Sequence, residues 1–167
     1  MAGSVCPEPL MRRVVEDMNK SYFPVKTIIP STEIVHDRVM LEVFRGCIRG
    51  CRFCQAGYCY RPVRPKSVDL LVQQGIASCK DSGYQEMTLS SLSTSDYRPL
   101  TELCDGLLEY CDPRNININL PSLRADGFSM GIMQRLQRVR KTSITFAPEA
   151  GTQRMRDTIN EDGKEED

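Results

Sequence analysis

From Val39 onward the chain alternates between short apolar runs and longer segments with helical period. Val39–Phe44 is a short β-rich run. Ser67–Ser82 places Val68, Leu71, Val72, Ile76 and Cys79 on one helical face. Ser67 with Asp69 is a helix start, and Asp81-Ser82-Gly83 a stop. Glu86–Leu92 predicts the next strand. Tyr97–Tyr110 predicts a helix with Pro99 near its first turn and the stripe Leu100, Leu103, Cys104, Leu107, Leu108 and Cys111. Ile116–Leu120 follows as a strand. Phe128–Val139 follows as a helix with Ile132, Met133, Leu136 and Val139 inward. Ser143–Ala147 is a fourth strand, and Thr152–Ile159 opens a fourth helix. Strands that alternate with helices predict βαβ units and a parallel sheet, an α/β fold. The two ends differ. Residues 1–38 form a leader, with a helical stripe over Glu8–Lys20 (Leu10, Met11, Val14, Val15, Met18) and an extended linker over Tyr22–Pro30. Residues 39–160 form the core. Residues 161–167 are an acidic tail, read as solvated.

Composition narrows the class. The 167 residues carry 22 basic and 22 acidic side chains, 40% apolar residues, 8 Cys, 1 His and no Trp. This is globular usage, and the length suggests one domain. Zero net charge argues against a general polyanion binder. No apolar run approaches the roughly 18 residues that span a bilayer, and Met1–Leu10 lacks a secretory pattern. A cytoplasmic location is expected, with no membrane partner. In that reducing compartment cysteines are metal ligands, catalytic thiols or core residues rather than disulfides.

The cysteines divide unevenly. Cys79, Cys104 and Cys111 fall on helical apolar faces and read as core, while Cys6 sits in a Pro-flanked leader. Cys47, Cys51, Cys54 and Cys59 crowd into one loop. Gly46, Gly50 and Gly57 supply permissive dihedrals for it. Arg45, Arg49 and Arg52 interleave with the thiols, and no acid lies between Arg45 and Arg64. That surrounding is expected to favour thiolates.

In parallel α/β folds chemistry gathers beyond the C-terminal ends of strands. Here the cysteine loop follows the first strand, and Ser90–Asp96 the second. Pro121-Ser122-Leu123-Arg124 follows the third, and Pro148–Thr152 the fourth. These four segments are expected to meet at one mouth. A closed zinc site usually pairs its four ligands in two separated pairs, and C-x3-C-x2-C-x4-C is one compact string. The C-x2-C-x2-C-x3-C-P run of bacterial ferredoxins also fails to fit. Three thiols with no evident fourth suggest a centre with one open coordination position. The rival is a non-catalytic module whose structural zinc uses Cys47, Cys51, Cys54 and Cys59.

Cys47-x3-Cys51-x2-Cys54, with Phe53 before the last cysteine, resembles the motif of the radical S-adenosylmethionine (SAM) superfamily. Val39–Cys47, Gln55-Ala56-Gly57, Tyr60–Arg64, Ser90–Tyr97, Leu120–Arg124 and Thr145–Arg156 resemble an uncharacterised cobalamin-type subfamily. The resemblance implies a [4Fe–4S] cluster on Cys47, Cys51 and Cys54, with SAM chelating the open iron. It implies an oxidoreductase-type reaction in which SAM is cleaved reductively to methionine and a 5′-deoxyadenosyl radical. It implies a reducing partner such as flavodoxin or ferredoxin, and a substrate that the sequence does not name, RNA being one candidate.

Residue by residue, Ser91-Leu92-Ser93 occupies the place of the Gly-Gly-Glu segment that touches the SAM amino group, without its carboxylate. Glu149 resembles the glutamate of a Glu-Ser-Gly segment that contacts SAM. Its plainer reading is an anion near a helix start. Phe53, Ser91, Ser93, Ser122, Arg124 and Glu149 are therefore the candidate SAM contacts, and no catalytic residue is assigned. His36 reads as a structural hydrogen-bonding residue. Arg61, Arg64, Arg135, Arg138, Arg140 and Lys141 could face RNA, as in related enzymes that modify tRNA, and read more plainly as a solvated face or as phosphate contacts for something small. The superfamily core has six βα units and four are legible here. The resemblance thus implies a partial (βα) barrel from a longer protein, possessing further domains, cobalamin entering only through one absent from this sequence.

Overall fold

A computed structural model describes residues 12–121, 123–127, 130–140 and 146–164. Three parallel strands form the sheet: β1 (Val39–Glu42), β4 (Glu86–Ser90) and β5 (Asn117–Asn119), in the order β1-β4-β5. Leu41 pairs with Leu89, and Met87 with Ile118. A two-stranded antiparallel ribbon joins β2 (Phe44–Arg45) to β3 (Arg64–Pro65). The fold is α/β, a partial βα barrel.

The central strand is buried along its middle, Met87, Thr88 and Leu89. A parallel strand covered on both faces loses the simple in-out alternation. Helices α2 (Val68–Ser82) and α3 (Leu100–Cys111) form where the periodicity predicts. α3 buries all six residues of its predicted stripe. α2 stops at Gly83, whose φ of 73° suits glycine and whose N–H bonds Cys79 O at 3.0 Å. Gly75 brings α2 close to its neighbours, since a Cβ there would lie 3.0 Å from Leu107 and from Met87. Leu71, Leu89, Leu103 and Leu107 are fully buried in one cluster, each stabilising by about 2 kcal/mol. Cys79, Cys104 and Cys111 belong to the same cluster.

The shorter helices are α1 (Ala56–Cys59), α4 (Met130–Leu136) and α5 (Gln153–Ile159). α4 buries Ile132, Met133 and Leu136. Residues 143–145 of the expected fourth strand lie outside the described residues, as do Cys6 and Lys141; Phe146 and Ala147 are not in a strand.

Two readings are corrected. The leader helix does not form over residues 12–17, and only a 3-10 turn, Met18–Lys20, follows. The backbone there is used otherwise: Arg64 donates to Val15 O at 3.2 Å, and Asn19 Oδ1 accepts the Ser67 N–H at 2.8 Å. The first strand run also splits. β1 ends at Glu42, and Phe44 enters the ribbon, which has no signature in hydrophobic period. No helix among the described residues is long and apolar enough to cross a membrane.

Candidate functional site

The cysteine loop is an excursion closed at its base by β2 and β3. Val43 N–H donates to Ser90 O at 2.9 Å, and Lys66 N–H donates to Val43 O at 3.0 Å. Cys47 N–H donates to Tyr60 O at 3.2 Å. Gly46 is required there, with φ of 98° and a would-be Cβ 2.4 Å from Tyr60 O. Gly57 is required for space, because a Cβ would meet Arg49 O at 2.1 Å. Gly50 has neither requirement, so the dihedral reading of the three glycines holds for Gly46 alone. Arg61 stitches the interior by donating to Ile48 O at 2.7 Å and Arg49 O at 3.2 Å. The C-terminal end of α5 holds the other side. Arg52 N–H donates to Ile159 O at 2.8 Å, and Asn160 Nδ2 donates to Gly50 O at 3.0 Å.

Cys47, Cys51 and Cys54 line one cavity of about 260 Å³, together with Phe53, Ser93, Arg124 and Glu149. The segments after β4 and β5, and the segment at Pro148, thus reach the cavity that the thiols face. Phe53 is 55% exposed at its rim. Glu149 adopts a left-handed φ of 61°. Ser93 is buried, and its hydroxyl has no hydrogen bond of good geometry, although it helps hold the nearby Asp96 carboxylate charged. Ser91 does not line the cavity, and its Oγ shares a 2.8 Å hydrogen bond with Thr94 Oγ1. Ser122 lies outside the described residues. Cys59, at the end of α1, is exposed and does not line the cavity.

Charge around the cavity is arranged as an interlocked network. Arg49 pairs with Asp96, with Asp126 at 2.9 Å and with Asp162. The bond to Asp96 is the first cause that raises the Arg49 pKa, against the cost of burial. Arg124 pairs with Asp126 at 3.0 Å and with Glu161. Burial opposes its charge, but Glu161 and Asp126 prevail and raise its pKa. Cys51 Sγ donates to Glu161 Oε2 at 3.2 Å. Burial first, and Glu161 second, push the Cys51 thiol up to about 11. The expected thiolate-favouring surrounding is therefore reversed at Cys51: Arg49 is committed to three aspartates, and a carboxylate faces the sulfur.

Glu161 also corrects the reading of the tail. It is only 8% exposed, and its neighbour Asp162 is tied to Arg49. Sequence reasoning missed Glu161 and Asp126 as cavity groups, and Asp96 as the partner of Arg49. Asp96 sat within a segment already singled out, whereas nothing in the local pattern around Glu161 signals a return to the loop.

The donor set fits an iron–sulfur centre. Cys47, Cys51 and Cys54 are free thiols on one cavity, and thiolate is the ligand such clusters take. Among the described residues no three His, Cys, Asp or Glu side chains converge to hold a single metal ion. A four-iron cluster does not need that convergence, since each thiolate takes its own iron. A four-thiol zinc site does need it, and Cys59 is not drawn toward the other three.

Residues 41–167 match the radical SAM superfamily. The chain belongs to that superfamily. It is 36% identical over 128 residues to an uncharacterized protein of Methanocaldococcus jannaschii. That alignment covers 77% of this chain and 27% of the archaeal protein, so the chain spans about a quarter of its relative's length.

Proposed function

We propose that residues 39–160 form the core of a cytoplasmic enzyme that cleaves SAM reductively at a [4Fe–4S] cluster held by Cys47, Cys51 and Cys54. The observation that carries this reading is the convergence of three free thiols and polar groups from three other segments on one cavity. When bound, the cluster would supply the electron that splits the SAM sulfonium into methionine and a 5′-deoxyadenosyl radical. The chain's own residues bind and orient. Arg124, already held in place by Asp126, offers a guanidinium to the SAM carboxylate. Glu149 and the buried Ser93 hydroxyl are acceptors for its amino or ribose groups, and Phe53 covers the rim. Ser91, in the same segment as Ser93, and Ser122, which lies outside the described residues, complete the candidate set. A one-electron carrier such as flavodoxin or ferredoxin is the reducing partner.

Anaerobic reconstitution with iron, sulfide, SAM and dithionite, assayed for 5′-deoxyadenosine, tests this. The expected result is a product that Cys47→Ala, Cys51→Ala or Cys54→Ala abolishes and Cys59→Ala preserves. One tightly held zinc released by Cys59→Ala would sink the proposal in favour of a structural staple.

A further inference from the structure

We propose that the outer rim of the cysteine loop is the docking surface for an acidic one-electron carrier protein, a proposal that rests on the cluster assignment above. Residues 45–64 contain five arginines and no Asp or Glu, in a chain that carries 22 basic and 22 acidic residues overall. The arginines have separate fates. Arg45 and Arg49 are neutralised by carboxylates. Arg61 and Arg64, with Arg12 from the leader, donate only to backbone carbonyls. Arg12 donates to Cys59 O and Arg61 O, and Arg64 donates to Pro62 O at 3.0 Å and Val15 O at 3.2 Å. A carbonyl fixes a guanidinium without cancelling its charge. Among the described residues no carboxylate pairs with any of the three. They form a fixed positive rim beside exposed Tyr58 and Tyr60, with Arg12 stacked over Tyr60 at 5.6 Å.

Position selects the partner. Tyr60 O accepts the Cys47 N–H at 3.2 Å, so a protein seated on this rim lies one hydrogen bond from a cluster ligand. With Arg45 and Arg49 cancelled by Glu42 and Asp96, only a few uncancelled guanidiniums are left on the loop. That suits the small, charge-steered contacts of electron carriers. A nucleic acid draws its affinity from many phosphate contacts. In the step itself one electron leaves the reduced carrier and enters the cluster, so the carrier is oxidised by one electron and the cluster reduced by one, with no proton exchanged.

Flavodoxin is the probe. With the cluster-free chain, titration calorimetry should show salt-sensitive binding. Binding should weaken about tenfold in the Arg12→Gln/Arg64→Gln double variant, and return in Arg12→Lys/Arg64→Lys. With the reconstituted chain, reduction by flavodoxin hydroquinone should slow about tenfold in the Gln variant, while reduction by dithionite is unchanged. Unchanged flavodoxin binding in the Gln variant overturns the proposal. So does equal slowing with both reductants, which would mean a damaged loop. Loss of binding to a single-stranded RNA oligonucleotide with flavodoxin binding intact assigns the rim to RNA and overturns it as well. If no cluster can be loaded but charge-dependent flavodoxin binding persists, the cluster assignment falls and the docking surface stands.

Discussion

The helix-backed sheet layer holds three cysteines and the cysteine loop four, under different demands. In the sheet layer Cys79, Cys104 and Cys111 are packed among leucines, and burial pushes their thiols up to about 11, 12 and 12. In the loop Cys51 reaches about the same value, 11, with a carboxylate among the causes. The similarity in value hides a difference in kind. A thiol held neutral by close packing changes only if the core changes. A thiol held neutral partly by one glutamate changes when that glutamate moves. The body is specified by apolar area, and the loop by hydrogen bonds from guanidinium to carbonyl and by interlocked ion pairs.

The comparison breaks most sharply by separating the two regions. Leu103→Ala should cost about 2–5 kcal/mol and lower the urea midpoint of the whole chain. Gly46→Ala drives a methyl group into the Tyr60 and Pro62 carbonyls, on the order of 3 kcal/mol of local strain. It should abolish iron and sulfide uptake while the far-UV circular dichroism of the body persists. Collapse of both signals together would show that the regions do not fold separately.

A smaller effect comes with pH. Unfolded thiols ionise near 9.0, whereas Cys79, Cys104 and Cys111 resist ionisation until about 11 to 12. A folded pKa above the unfolded one gives stability that is complete below pH 9 and is lost as pH climbs toward the folded values. The unfolding free energy from urea titrations should therefore fall between pH 9 and 10 by on the order of 1 kcal/mol per buried thiol. A flat profile would mean that these thiols are not buried as described.

The smallest effect sharpens the comparison at one atom. Glu161→Gln removes a negative charge beside the Cys51 sulfur, which makes the thiolate less unfavourable. The pH profile of Cys51 alkylation, read by peptide mass spectrometry, should shift down from about 11 without reaching 9.0, because burial remains. The profiles of Cys104 and Cys111 should not move.

The body was the more legible region. The stripe on α3 and the start and stop of α2 lie in local sequence, because a helix face repeats every few residues and a glycine stop is a single-residue signal. The three ligand cysteines were legible for another reason: their spacing is itself the motif. What escaped was non-local. The β2–β3 ribbon has two residues in each strand and eighteen residues between them, too short for any period. Glu161 meets Cys51 across 110 positions, and an acidic tail carries no mark that it folds back. Over residues 12–17 the leader failed in the opposite way. Its stripe satisfies a helical period over few residues, but a short helix is marginal unless packed, and the ribbon claims that backbone instead.

Asn19 gives the leader a further role. Ser67 begins α2 yet makes no capping bond with its own hydroxyl; its N–H is satisfied by Asn19, 48 residues upstream. The first turn of a helix at the heart of the sheet layer is thus completed by a segment that must return from far away. Local helix growth can start without that bond, but the Ser67 N–H finds this partner only once the leader has docked. The leader and the opening turn of α2 are accordingly joined by a contact of long sequence separation, the kind whose loop-closure cost must be met before it contributes.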